Sequence, residues 1–107
     1  MTAHRRNPEK HWNTLVNDAV VCRGKNGSFN LCIEGGSEYG QFVVIGDVLS
    51  DKVIFRSGTL SAEEIILEIN GKHIAGYTQT DAIALIKQSG EYMQVRAIHP
   101  GETLHLL

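Results

Sequence analysis

The chain has 107 residues, 42% of them hydrophobic and 21% charged, with a formal net charge of -2. This is the composition of one ordinary globular domain, and the charge gives no global drive toward nucleic acid or anionic lipid. No run approaches the length of a membrane span, Met1 to Val16 lacks the apolar stretch of a secretory signal, and Thr2 is unsuited to N-myristoylation.

Residues 1–11, with His4-Arg5-Arg6 and Lys10-His11, read as a solvated tail, and residues 101–107 as a second one. The domain is expected over residues 12–100. Trp12 is expected to pack at its base, where the indole N–H finds an acceptor. Ala19-Val20-Val21-Cys22, within Leu15 to Arg23, reads as a first strand. Arg23 to Ser28 is a polar loop with glycines at 24 and 27. Successive N–H groups in such a turn form a nest for an anion, most simply a carboxylate. The loop precedes a strand and not a helix, so a phosphate site at a helix N-terminus is a poorer fit. Phe29, Leu31 and Ile33 alternate in the second strand, whose free edge can accept an incoming peptide. On periodicity alone these three, with Ile83 and Ile86, read first as core.

After the glycine-bearing connection 35–41, Phe42 to Val48 reads as a third strand with a bulge near Gly46. Ser50-Asp51 resembles a helix start, with a first helix over Lys52 to Ser57 stopped by Gly58. Glu63 to Ile69 is a fourth strand, Asn70-Gly71 a type I′ turn and Lys72-His73-Ile74 a fifth strand. Thr78 or Thr80 can cap a second helix running to about Ser89, whose apolar residues Ala82, Ile83, Leu85 and Ile86 have helical spacing before Gly90. Tyr92 to Ile98 alternates as a last strand, stopped by Pro100-Gly101. The predicted fold is mainly β with two α-helices, a partly open antiparallel barrel or sandwich.

No nucleophile, phosphate-loop or zinc-protease motif is present, so no enzyme activity is expected. The five histidines (His4, His11, His73, His99, His105) are scattered, and no metal or cofactor is expected. Cys22 and Cys32 have no ligand spacing and read as reduced thiols pointing away from the core. Glu63 and Glu64 would point to opposite faces of a strand, a solvated rim and not an acid–base dyad.

From about Asp18 to Pro100 the chain resembles a PDZ domain. The resemblance rests on Arg23 before Ser28-Phe29-Asn30-Leu31, paired Gly35-Gly36 and Ser57 to Leu60. It continues through Glu64-x-Ile66-Leu67-x-Ile69-Asn70-Gly71, then Ala82-Ile83-x-x-Ile86-Lys87 closing on Gly90. His11-Trp12, Gly35 to Gly40 and Glu64 to Ile69 are similar to the first PDZ domain of membrane-associated guanylate kinases with inverted domain order. The resemblance implies a scaffold module that binds a partner's C-terminus as an added strand between the second strand and the second helix. By position, the N–H groups of Phe29, Asn30 and Leu31 would hold the carboxylate, with Ser28 in the same loop and Arg23 supplying charge. Phe29, Leu31, Ile33 and Ile86 would line the pocket for the last side chain. Gln79 and Ile83 would face the third-from-last residue, and Gly46 and Asp47 would lie beside alternate ligand residues.

Two positions depart from the family pattern. Asn30 stands at the loop's second glycine, and Asn tolerates left-handed backbone better than other side chains. Gln79 replaces the histidine of the Ser/Thr-reading class and can both donate and accept, so no strict Ser/Thr preference is expected at the third-from-last residue, where apolar residues also fit, and a bulky apolar last residue is expected. The implied partners are C-terminal tails of membrane or junctional proteins, with no nucleic acid and only indirect membrane contact. The implied location is cytoplasmic, at the plasma membrane or cell junctions. The alternatives are a degenerate groove serving lipid or self-association, the latter with Leu107 entering a neighbour's groove, or an accessory domain of a protease.

Overall fold

The computed structural model describes residues 16–49 and 51–100. Trp12, Ser50, Leu107 and both tails lie outside the described residues. β1 (Val16–Cys22), β2 (Ile33–Gly35) and a 3₁₀ turn (Ser37–Tyr39) come first, followed by β3 (Val43–Ile45), β4 (Ile54–Ser57) and β5 (Ile65–Ile69). β6 (Lys72–His73), α1 (Gln79–Lys87) and β7 (Tyr92–Ile98) complete the order. One antiparallel sheet runs β2-β3-β5-β7-β1-β4, with β6 hairpinned on β5. β2 is therefore an edge strand.

Alternation explains β7. Met93, Val95 and Ala97 are buried, and Gln94 between them is exposed. They meet Val21 and Ala19 of β1 and Ile69 and Ile66 of β5 in the core. Each such aliphatic side chain contributes roughly 1.5–3 kcal/mol by burial. Across β1 and β7, Asp18 faces Arg96 in register and accepts from Nε and Nη2 at 3.1 and 3.2 Å. The Asp18 hydrogen bond and charge, with the charge of Glu68, raise the Arg96 guanidinium above its ordinary value. Asn70 and Gly71 both have positive φ (53° and 79°), the requirement of a type I′ turn, and they join β5 to β6. Thr78 caps α1 by accepting from the Asp81 N–H at 3.1 Å. Ala82 is the face of α1 that reaches the core fully.

The expected first helix is absent. Residues 51 and 52 turn, and Ile54–Ser57 pairs with β1 through Val20↔Ser57, Val21↔Phe55 and Cys22↔Ile54. Val53, Ile54 and Phe55 are β-branched or aromatic, and a free β1 edge offered them hydrogen bonds that one isolated helical turn could not match. α1 is the α-helix that packs beside the sheet among the described residues. The bulge expected near Gly46 is also absent, because β2 and β3 pair without a shift from Ile33↔Ile45 to Gly35↔Val43. Register shifts fall instead between Val20 and Val21 and between Ile66 and Glu68.

Glu63 and Glu64 do separate, but Glu64 is not on a solvated rim. It is 1% exposed, the one buried charged residue among those described. Its carboxylate accepts from Asn17 Nδ2 and, at 3.0 Å, from the Ser61 N–H. Buried polar oxygens need hydrogen-bond partners, and both oxygens here have them.

Candidate functional site

Three pieces meet at one side of the sheet: the loop 23–31, the edge of β2 and α1. The loop is closed by Gly24 N–H to Ser28 O (2.7 Å) and Gly27 N–H to Gly24 O (2.9 Å). Asn26 Oδ1 accepts from the Ser28 N–H at 3.1 Å, and Ser28 Oγ accepts from the Asn30 N–H at 3.0 Å. Neither Phe29 nor Leu31 gives its N–H to another described residue. These two donors have no partner among the described residues, whereas that of Asn30 is held by Ser28.

Asn30 has φ 58°, the left-handed conformation for which a glycine is usual. Its side chain does what a glycine could not. Nδ2 donates to the Lys52 carbonyl at 3.2 Å, and Oδ1 accepts from Asn26 Nδ2 at 2.9 Å. The loop is thereby tied to the turn before β4. Neither Lys52 nor Asn26 stands out in the sequence for this purpose, because the contact spans 22 positions in one case.

Arg23 behaves as a staple. Nη1 donates to Gly27 O at 2.7 Å, Nε to Gly90 O at 2.9 Å, and Nη2 to Ser89 O and Lys87 O at 2.6 and 3.3 Å. The last carbonyls of a helix lack internal partners and carry partial negative charge, so they suit a guanidinium. The cation also lies 4.4 Å over the Phe29 ring. Arg23 thus joins the loop to the C-terminal end of α1. Replacing it with alanine is expected to lower stability by about 1–2 kcal/mol, since most of these charged hydrogen bonds are exposed. Urea denaturation measures this, and a loss below about 0.5 kcal/mol would contradict the staple.

The walls differ from each other. Phe29 is 3% exposed and belongs to the core beneath the loop. Leu31, Ile33 and Ile86 are half-buried and pack on that core, and Ile83 is half-buried on α1. Gly46 is buried and gives its N–H to Cys32 O at 2.8 Å, so β2 stands between it and the free edge, and Asp47 is exposed. Because Cys32 points its carbonyl at β3, alternation turns the backbone groups of Leu31, Ile33 and Gly35 outward along the edge. Gln79 starts α1, and Nε2 donates to the Gly35 carbonyl at 3.0 Å. Glu38 accepts from the Gln79 main-chain N–H at 3.0 and 3.2 Å through its two oxygens. Glu38 lay within the Gly35 to Gly40 motif, but nothing local pointed to its contact with Gln79, 41 positions away.

A cavity of about 800 Å³ opens elsewhere, lined by Val16, Asp18, Phe42, Leu67, Arg96 and Ile98 among others. It touches neither the loop nor α1, and its charged walls are already paired with each other. The described residues bring no three His, Cys, Asp or Glu side chains together as metal ligands. Cys22 and Cys32 are free thiols, Cys32 exposed.

A family model described as PDZ domain matches residues 19–98. Membrane-associated guanylate kinase, WW and PDZ domain-containing protein 3 of Xenopus tropicalis is 28% identical over 99 residues, covering 91% of this chain and 9% of that protein. Its Rattus norvegicus counterpart is 30% identical over 106 residues, with 91% and 7% covered. Gamma-2-syntrophin of Homo sapiens is 29% identical over 69 residues, with 64% and 13% covered. This chain spans about a tenth of the length of these relatives. Among solved structures, a choanoflagellate SHANK1 PDZ domain bound to a GIRK3 peptide superposes with a TM-score of 0.62 at 24% identity, covering 77% of this chain and 89% of that one.

Proposed function

Because the chain belongs to the PDZ domain family, a family of non-catalytic peptide-binding modules, we propose that it binds the C-terminal tail of a partner protein as a strand added to the edge of β2, beside α1. The observation that carries this reading is the pairing of a β2 edge that no strand covers with unpartnered N–H groups at Phe29 and Leu31 at its start. A terminal carboxylate can take those two donors, and the Asn30 N–H once Ser28 Oγ rotates away. The last ligand side chain enters between Leu31, Ile33 and Ile86 above Phe29, which favours a bulky apolar residue. Ile83 lies along the path of the residue third from the end. Arg23 fixes the loop against the helix and adds a positive field there.

The module works within a scaffold protein. The partners are tails of membrane or junctional proteins, which would hold the parent at the cytoplasmic side of the plasma membrane in polarity or signalling assemblies. The likeness to membrane-associated guanylate kinases supports this. No described helix is long and apolar enough to cross a membrane.

Free-acid and amidated forms of a peptide selected from a C-terminal library test the reading. Amidation is expected to weaken binding by about tenfold or more, through loss of the charge-assisted hydrogen bonds. Leu31→Asp, which sets a carboxylate beside the ligand's own, is expected to abolish it. Binding indifferent to amidation would overturn the proposal without reference to any variant's folding.

A further inference from the structure

The outward-facing groups of β2 end at Gly35, and there the edge is already taken. Gln79 Nε2 fills the Gly35 carbonyl at 3.0 Å, while both Glu38 oxygens hold the Gln79 N–H. The Ser37 N–H adds a bond to Tyr77 O at 2.9 Å. A Cβ placed on Gly36 would lie 2.6 Å from Gln79 N, so strand and helix backbones nearly touch. An inserted strand needs about 4.7–4.9 Å on its hydrogen-bonded side alone, and room for a second neighbour beyond. No such room exists beside Gly36.

The geometry points to a polar clasp, Glu38–Gln79–Gly35, that closes the far end of the groove and limits reading to the last three ligand residues. The inference rests on the peptide groove proposed above. In an antiparallel addition starting at the carboxylate loop, Leu31 pairs with the last ligand residue, Ile33 with the third from last and Gly35 with the fifth from last. The clasp removes the last of these pairings. An upstream ligand residue could offer its own N–H to Gly35 in place of Gln79. It would have to be ordered from a flexible chain to do so, whereas Gln79 is already held by the helix and by Glu38. Gln79 then serves the groove as its end wall and not chiefly as a reader of a ligand hydroxyl. Glu38 is a positioning residue that keeps it there.

The test uses one library-selected peptide made in eight-residue and four-residue forms, each as free acid and as amide, on the native protein and on Gln79→Ala and Glu38→Ala. Alanine is the best helix former, so the first variant keeps α1. In the native protein, shortening from eight to four residues is expected to change Kd by less than about twofold. In Gln79→Ala the same shortening is expected to weaken binding about fivefold, the worth of one regained hydrogen bond. Glu38→Ala is expected to fall between and to speed hydrogen exchange of the Gln79 main-chain amide. Comparing lengths within one protein cancels any side-chain contact that Gln79 makes with the third-from-last residue. Carboxylate-dependent binding that already loses fivefold on shortening in the native protein overturns the clasp alone. So does unchanged length dependence in Gln79→Ala. Equal or absent binding of acid and amide forms removes the groove reading, and the clasp with it.

Discussion

Glu64→Ala is expected to lower stability by about 3–4 kcal/mol, a large part of what holds a domain of this size together. Two effects add. The substitution leaves a void where a side chain sits 1% exposed, and it strips the acceptor from Asn17 Nδ2 and from the Ser61 N–H. Asn17 is half-buried and Ser61 exposed, so water can replace part of what they lose, and this effect adds about 1 kcal/mol to that of the void. Glu64→Gln separates the two effects. It keeps the volume, but its amide group must face one of two donors, so about 1–2 kcal/mol should be lost. Urea midpoints of the three proteins decide the matter, and an alanine variant within about 0.5 kcal/mol of native would mean the carboxylate is not structural.

Gly58→Ala is the second severe substitution. Gly58 follows β4 with φ 64°, and an added Cβ would stand 2.1 Å from the Asp18 carbonyl oxygen and 3.0 Å from Ala19 Cα. Both neighbours are backbone of β1, which is clamped by β7 on its other side, so neither can give way cheaply. The loss should reach about 3 kcal/mol or more, of which left-handed strain is only about 1. Gly40→Ala and Gly71→Ala isolate that strain term. Both positions have positive φ and open space around the missing Cβ, so each should lose only about 1 kcal/mol. If Gly58→Ala behaved like these two, the close approach to β1 would not exist in solution.

The sequence was most readable where a local rule and the final environment agreed. Tyr92 to Ile98 alternates because β7 is central and half its residues face the core. Asn70-Gly71 demanded a hairpin, and Thr78 capped the helix as its hydroxyl suggests. Lys52 to Ser57 misled because Ser50-Asp51 has the chemistry of a helix start, while what decides its fate is pairing with β1, some thirty positions earlier. Phe29 read as a strand residue, yet the paired strand starts at Ile33, with Cys32 O held by the Gly46 N–H just before it and Phe29 itself buried in the core. Asn30 read as a deviation from glycine; only its bond to Lys52 O shows what the side chain adds. Glu38, Gln79 and Gly35 looked unrelated for the same reason. Contacts across 41 and 44 positions leave no period behind them.

The sheet has two ends, and they are treated oppositely. β2 sits beneath a helix beside a loop of open donors, whereas β4 closes the other end with four residues, one of them Arg56 stacked 4.5 Å over Tyr92. A domain with the proposed mode, lending one edge to a visiting strand, is at risk of lending the wrong one. Brevity, a cation in mid-strand, the register shift between Val20 and Val21 and the left-handed exit at Gly58 make β4 a poor template for another chain. Of the sheet's two end strands, β4 is thus the one ill suited to pairing with another chain.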